Sequence, residues 1–166
     1  LGRIDRTPHL KARVERVAEL CEEHAADALV VAGDVFSEQA TVDQMTDALT
    51  HLNKTFRPFF DRGGTVLAVT GNHDRDGRVN LLRAGMTLAA PPTAPGGRFA
   101  PGRFYLLNGC FFGTLEPRPG DAVQFVLVPY PFAGRYALTA AEYRTREEEN
   151  RLLHRRVADW VQGVTA

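Results

Sequence analysis

Residues 28–34 read Ala-Leu-Val-Val-Ala-Gly-Asp, and residues 65–74 read Thr-Val-Leu-Ala-Val-Thr-Gly-Asn-His-Asp. Each stretch begins with a short apolar run, residues 28–32 or 65–70, and passes directly into glycine and polar residues. Short continuous apolar runs with such boundaries are typical of strands that are buried on both faces, as in a parallel sheet. The two stretches therefore predict two buried strands, each followed by a polar loop.

The residues between these strands predict a helix that returns the chain. Thr41 and Gln44 have the spacing of a capping box, and residues 62–64 (Arg-Gly-Gly) end the helical pattern before the second strand. Apolar residues recur between them every three or four positions, at Val42, Met45, Leu49, Leu52 and Phe56. Strand, helix and strand form a crossover between parallel strands, right-handed by the general rule. The expected fold class is therefore α/β.

The remaining sequence predicts further helices and strands around this unit. Thr7 and Pro8 start a helix that runs to about Ala26, with a stripe at Leu10, Val14, Val17, Cys21 and Ala25. A short helix is expected at residues 78–85 and an exposed loop at residues 91–102, which are rich in proline and glycine. Three strands are expected at residues 104–107, 110–115 and 122–128.

A long helix is expected at the end of the sequence. Thr139 and Glu142 have the spacing of a second capping box, which predicts a helix from there to about Gln162. Residues 144–156 are densely charged, which is more typical of a solvated helix face than of a binding tract.

The composition indicates an ordinary globular protein and does not point to a particular binding partner. The 166 residues are enough for one domain with a substantial core, and 44% apolar with 24% charged residues is ordinary for a globular protein. The net charge is zero, and all but two of the 20 basic residues are arginine. Arginine suits bidentate phosphate binding, but coding bias is the preferred explanation of its frequency here. Cys21 and Cys110 lie in no metal-binding or disulfide pattern. No apolar run approaches the length of a membrane span.

The polar residues that follow the two strands are candidates for a hydrolytic metal site. Because parallel strands end at the same edge of a sheet, we expect Asp34, Asn72, His73 and Asp74 to lie close together. Hydrolysis of a phosphate ester is well served by two divalent ions roughly 3.5–4 Å apart. Asp34 is the candidate bridging ligand and Asn72 a neutral oxygen ligand. His73 is placed to face the scissile phosphate, where an imidazolium stabilises charge or protonates the leaving oxygen.

Structural interpretations of the same residues compete with this one. Gly-Asp after a strand is often only a turn or a cap, Gly71-Asn72 forms ordinary turns, and Asp74 could cap a following helix. The occurrence of both motifs at equivalent strand ends favours the functional interpretation. The other histidines, His9, His24, His51 and His154, have spacings unsuited to a shared ligand set and are given no metal role.

The chain resembles the front part of the calcineurin-like metallophosphoesterase family. The family's segments include Asp-x-His, Gly-Asp, Gly-Asn-His-Asp/Glu, a distal His and Gly-His-x-His, and residues 33–34 and 71–74 match the second and third of these. More narrowly, the chain resembles SbcD-type nucleases, the D subunits of bacterial SbcCD complexes. The supporting segments are residues 1–3 (Leu-Gly-Arg), 30–36, 69–74 and 128–132 (Val-Pro-Tyr-Pro-Phe).

This resemblance implies a fold, an activity and partners. The fold is a four-layer α/β/β/α sandwich, of which residues 1–166 form a part. The activity is exonuclease action on double-stranded DNA ends and endonuclease cleavage of hairpins in repair and recombination. It implies two divalent ions, manganese first and magnesium as the alternative, with Asp34 and Asn72 as ligands, His73 as the catalytic residue and Asp74 steadying the loop or orienting His73. It also implies an SMC-like ATPase partner, a homodimer formed through helices near the site, and a cytoplasmic location. The helix at residues 42–56 and the helix after Asp74 are the candidates for the dimer face, although apolar residues of this kind more often belong to the core.

Three departures from the family pattern limit the metal binding and catalytic activity expected of these 166 residues. Asp-x-His would lie just before Leu1, and the distal His and Gly-His-x-His are expected beyond Ala166. Ser37 stands where relatives often carry His or Asp. Because two protein ligands hold a two-metal centre poorly, we expect the 166-residue chain alone to bind manganese weakly and to cleave little DNA. The alternatives are a phosphoesterase acting on a nucleotide or small phosphate ester, and an inactive scaffold domain.

Overall fold

A computed structural model describes residues 7–37, 39–74, 77, 79–80 and 97–165. The helices are α1 (Thr7–Glu23), α2 (Val42–Thr55), α3 (Arg57–Asp61), α4 (Arg146–Thr165) and a 3-10 helix (Ala133–Tyr136). The strands are β1 (Ala28–Ala32), β2 (Thr65–Val69), β3 (Gly97–Phe99), β4 (Phe104–Leu107), β5 (Phe111–Leu115) and β6 (Val123–Leu127). The predicted helix at residues 78–85 lies outside the described residues except for Val79 and Asn80.

The first sheet contains the two strands that the sequence analysis began with. Its order is β1-β2-β4 and all pairs are parallel, so the predicted strand–helix–strand unit is confirmed. The predicted burial is confirmed for β2, in which all five residues are buried. It is wrong for β1, in which no residue is buried and Val30 is 50% exposed, because β1 stands at the end of the described strand order and lacks a second neighbour there. Ala32 is level with Val69 across the pair, so β1 and β2 end side by side.

The second sheet has the order β3-β5-β6, with β3 parallel and β6 antiparallel to the central β5. The strands predicted at residues 110–115 and 122–128 are confirmed to within one residue at each end. The loop predicted at residues 91–102 is wrong at Gly97–Phe99, which forms β3. Proline and glycine suggested a loop there, but the Phe99 ring is buried between the sheets and fixes this segment against β5.

The two sheets pack face to face, with helices on the outer side of the first. Leu67 and Val69 of β2 share a core with Phe111, Leu115 and Leu127 of the second sheet. Phe99 packs its ring against Tyr105 of the first sheet (centroids 4.9 Å apart) and against Phe111 (5.0 Å). The opposite face of the first sheet contacts α1, α2 and α3, through residues such as Val66 and Phe59. The predicted α/β fold class is therefore confirmed, with a helix–sheet–sheet succession of layers.

Helix α1 buries only part of the apolar stripe that the sequence predicted, because Cys21 is buried and Val14 is half-buried in the core while other residues of the stripe are exposed. Ala18 and Cys21 are buried against Phe56 and Phe59, whereas Leu10 and Val17 are 63% and 37% exposed. The helix also ends at Glu23 rather than Ala26. Ala25 adopts a left-handed conformation (φ +46°), which turns the chain toward β1. The position of α2 and α3 decides which face of α1 is covered, and sequence periodicity does not contain that information.

Helix α4 begins later than its predicted capping box. Thr139 and Glu142 do interact, since the Glu142 carboxylate accepts from Thr139 N (2.7 Å), but only a turn forms there. The second Thr-x-x-Glu pair caps the helix instead: Glu148 N donates to Thr145 Oγ1 (3.2 Å), and Thr145 N donates to Glu148 Oε2 (3.3 Å). Both sites have the same spacing, so spacing alone could not select the second.

Replacing Thr145 with alanine is expected to lower the free energy of unfolding by about 1 kcal/mol, because the Glu148 N–H loses its acceptor at the helix start. Urea denaturation of the full-length protein checks this value. Thr139→Ala is the matched control, since the Thr139 hydroxyl only donates to Glu142 (3.1 Å) and caps no helix. Equal losses in the two variants would contradict the assignment of the cap.

Both cysteines are free thiols, as their spacing predicted. Burial raises the pKa of the Cys21 thiol, so it packs as a small apolar side chain. Among the described helices, none is long and apolar enough to cross a lipid bilayer.

Candidate functional site

The ends of β1 and β2 approach each other through two glycines. Gly33 has φ +104°, and a Cβ atom built on it would lie 2.8 Å from the Gly71 Cα atom. A Cβ atom on Gly71 would overlap the backbone nitrogen and the carboxylate of Asp34. Asp34 itself has φ +54°, a conformation that few residues other than glycine, asparagine and aspartate adopt readily. Glycine at both positions therefore allows the two loops to touch.

Asp34 joins the two loops through its side chain. Its Oδ1 atom accepts a hydrogen bond from His73 N (3.1 Å). Its other carboxylate oxygen has no hydrogen bond among the described residues, and the side chain is exposed. The structure therefore brings Asp34 next to residues 72–73, as the strand topology predicted, with one carboxylate oxygen available to a ligand.

Asp74 is buried beneath this contact and binds three backbone N–H groups. Only 4% of the residue is exposed. Its Oδ1 atom accepts from Phe36 N (2.8 Å), and its Oδ2 atom accepts from Gly71 N (2.8 Å) and Val35 N (3.2 Å). Because these donors come from both loops, the Asp74 carboxylate fixes the loop after β1 against the loop after β2. These three contacts join the two loops, and none of them involves the His73 ring.

The side chains of Asn72 and His73 are exposed at the same edge. Neither side chain has a hydrogen-bond partner within the described part of the chain, so both can contact a ligand. Ser37 accepts from Gln39 N through Oγ (3.3 Å) and so belongs to a local turn.

The Pro-Tyr-Pro-Phe segment, residues 129–132, forms a wall beside the end of β2. Tyr130 N donates to Thr70 O (2.9 Å). Arg135 Nη1 donates to Tyr130 O (2.8 Å) and Thr70 O (3.3 Å), and its guanidinium lies 4.5 Å from the centre of the Phe132 ring. Sequence reasoning did not identify Arg135, because its importance arises only once this segment lies next to β2.

The 3-10 helix that follows is anchored by a half-buried tyrosine. The Tyr136 hydroxyl donates to Pro129 O (3.0 Å) and accepts from Cys110 Sγ (3.3 Å). Burial raises the pKa of Tyr136 above its ordinary value. The hydroxyl therefore stays protonated as a donor, and the segment stays fixed beside the site.

The oxygen atoms at this edge are of the type that binds divalent cations. The Asp34 carboxylate and the Asn72 amide are hard oxygen ligands, which suit magnesium and manganese alike. Within the described ranges, no group of three or more His, Cys, Asp or Glu residues could hold a metal ion. Asp34 and Asn72 are thus the residues that would hold a cation here, and the described part of the chain supplies two ligands.

Comparison with known proteins identifies the family. The model of the calcineurin-like phosphoesterase domain matches residues 6–161, which is nearly the whole chain. The chain therefore belongs to the calcineurin-like phosphoesterase family. No match was found among curated proteins or among solved structures. Membership of the family implies hydrolase activity on phosphoesters and the use of divalent metal ions.

Proposed function

We propose that this chain belongs to a DNA nuclease of the SbcD type, which hydrolyses phosphodiester bonds in a reaction that depends on two divalent ions, manganese first. The observation that supports the site is the contact between Asp34 Oδ1 and His73 N at the paired ends of β1 and β2. The preference for DNA over a small ester is supported by the resemblance of residues 1–3, 30–36, 69–74 and 128–132 to those nucleases.

The residues have distinct tasks in this proposal. Asp34 and Asn72 would hold the metal, and Asp74 keeps their loops in place through the N–H groups of both. Bound divalent ions supply an activated water molecule and neutralise phosphate charge. The exposed His73 side chain would contact the phosphate, where a ring nitrogen would stabilise developing charge or donate a proton to the leaving oxygen.

The proposed partners are DNA, an SMC-like ATPase and a second copy of the nuclease subunit, all supported by the resemblance. Helix α2 was one candidate for the dimer face. Most of its apolar residues pack into the core, Met45 and Leu49 among them, whereas Val42 is 67% exposed. A dimer contact on α2 would therefore involve its first turn, at Val42.

Substrate preference distinguishes the nuclease from a phosphoesterase acting on small esters. The full-length protein here means this chain together with the Asp-x-His and Gly-His-x-His segments that the resemblance implies. With that protein and manganese, we expect cleavage of linear duplex and hairpin DNA, with loss of activity in EDTA and recovery on addition of manganese. Turnover of bis-p-nitrophenyl phosphate is measured in parallel. Exclusive turnover of the small ester would contradict the nuclease proposal, and activity that persists in EDTA would contradict metal dependence.

A further inference from the structure

A groove of about 450 Å³ lies between the Pro-Tyr-Pro-Phe segment and the start of α4. Its lining includes Tyr130, Phe132, Tyr143, Arg144 and Arg146. A second groove of about 480 Å³ shares Tyr143 and Arg144 with the first and is lined by further arginines of α4, Arg151 and Arg155. The charged run at residues 144–156, expected to be only a solvated face, thus borders two connected concave surfaces.

The arginines of these grooves are available to an anion. Within the described part of the chain, the side chains of Arg144, Arg146, Arg151 and Arg155 make no ion pair. Two of the three nearby carboxylates are already occupied. Glu142 accepts from Thr139 N (2.7 Å) and Arg156 Nη2 (3.3 Å), and Glu148 accepts from Arg144 N (2.7 Å) and Thr145 N.

The third carboxylate, on Glu149, lines the first groove and offsets part of the charge. Four arginines against three carboxylates leave the surface with an excess of positive charge. Because guanidinium groups bind phosphate oxygens through two parallel hydrogen bonds, this arrangement suits a phosphate backbone.

The aromatic residues of the first groove offer faces for stacking. Tyr130 and Phe132 are 47% and 37% exposed, which is high for large apolar side chains. One side of the Phe132 ring already carries the Arg135 guanidinium, so this pair forms a stacked platform. Exposed aromatic rings beside arginines are typical of surfaces that bind unpaired nucleic acid strands, whose bases stack on the rings.

The groove begins close to the metal-ligand loop. Tyr130 N is bonded to Thr70 O, and His73 follows Thr70 by three residues, which span at most about 11 Å. Successive nucleotides of one strand rise about 3.4 Å in a duplex. A strand whose phosphate lies at His73 can therefore reach Tyr130 within a few nucleotides.

We propose that this groove binds the unpaired strand of a DNA substrate beside the scissile phosphate. Arg144 and Arg146 bind its phosphates, and Tyr130 and Phe132 stack its bases. This inference rests on the proposed function, because it assumes a DNA substrate.

Binding of a short fluorescein-labelled single-stranded oligonucleotide to the full-length protein in EDTA tests the groove without cleavage. We expect the double variant Arg144→Ala/Arg146→Ala to weaken binding about tenfold or more, measured by fluorescence anisotropy. The slope of log affinity against log salt concentration should fall by about 0.7 for each phosphate that the variant no longer neutralises. Tyr130→Ala should weaken binding about fivefold or more, while Tyr130→Phe, which keeps a ring, should retain most of the affinity.

Arg13→Ala is the matched control, because Arg13 is an exposed arginine on α1, outside both grooves. It should bind the oligonucleotide like the wild type. If the double variant does not fold, Arg144→Gln alone gives the same comparison with about half the change in salt slope.

The outcomes separate this inference from the proposed function. A wild-type protein that binds and cleaves DNA, together with groove variants that bind as tightly as Arg13→Ala, would overturn the inference alone. A wild-type protein that hydrolyses bis-p-nitrophenyl phosphate but neither binds nor cleaves DNA would overturn the nuclease proposal and the inference with it.

Discussion

Replacing Asp34 with alanine is expected to lower metal-dependent phosphoester hydrolysis by at least about a hundredfold. Asp34 supplies the only carboxylate oxygen at this edge that is exposed and has no hydrogen bond among the described residues. Loss of groups that merely orient metal ligands already reduces affinity or activity 10–100-fold, so loss of a ligand should exceed that range. The measurement is the turnover of bis-p-nitrophenyl phosphate by the full-length protein with saturating manganese.

Asp43→Ala is the matched control for this prediction. Asp43 is an exposed aspartate in the first turn of α2, so its removal alters charge near the same part of the chain without touching the site. Its turnover should match that of the wild type. An Asp34→Ala protein that keeps more than a tenth of the wild-type turnover would show that Asp34 does not hold the metal.

Replacing Asp74 with alanine is expected to lower the free energy of unfolding by about 3 kcal/mol or more. Three backbone N–H groups, of Val35, Phe36 and Gly71, would lose their acceptor. Each buried donor left without an acceptor costs roughly 1–3 kcal/mol. Denaturant unfolding of the full-length protein measures the loss. We also expect lower turnover, because the loops that carry Asp34 and His73 are no longer fixed to each other.

Asp74→Asn should be nearly as damaging as Asp74→Ala. An amide has one acceptor oxygen, whereas the Asp74 carboxylate accepts through both oxygens, so the Asn NH₂ group would face at least one N–H donor. Asp47→Ala is the control, since Asp47 forms an exposed ion pair with Lys11 (2.8 Å), and its loss should change stability by less than about 1 kcal/mol. Equal effects at Asp74 and Asp47 would contradict the structural role of Asp74.

The sequence predicted the part of the fold on which the site depends. Apolar runs and glycines located β1 and β2, and the parallel crossover placed their ends together. That was enough to expect Asp34 beside residues 72–73, because local pattern and topology agree at this point. The capping box at Thr41 was also correct, since both of its hydrogen bonds depend only on neighbouring residues.

Other features could not be predicted because they depend on distant contacts. The acceptor role of Asp74 requires N–H groups that lie almost 40 residues away, at Val35 and Phe36. The buried face of α1 is set by Phe56 and Phe59, and the site wall exists because Tyr130 N reaches Thr70 O. Sequence periodicity describes one element at a time and carries no signal for such pairs.

The central claim, that the paired ends of β1 and β2 form a divalent-metal site, is tested most directly by calorimetric titration of the full-length protein with manganese. We predict that Asp34→Asn and Asn72→Ala each weaken manganese binding by at least about tenfold, since the first removes the negative charge of a proposed ligand and the second removes the proposed ligand oxygen, while Asp43→Ala binds manganese like the wild type. Manganese binding that is unchanged in both site variants would contradict the claim.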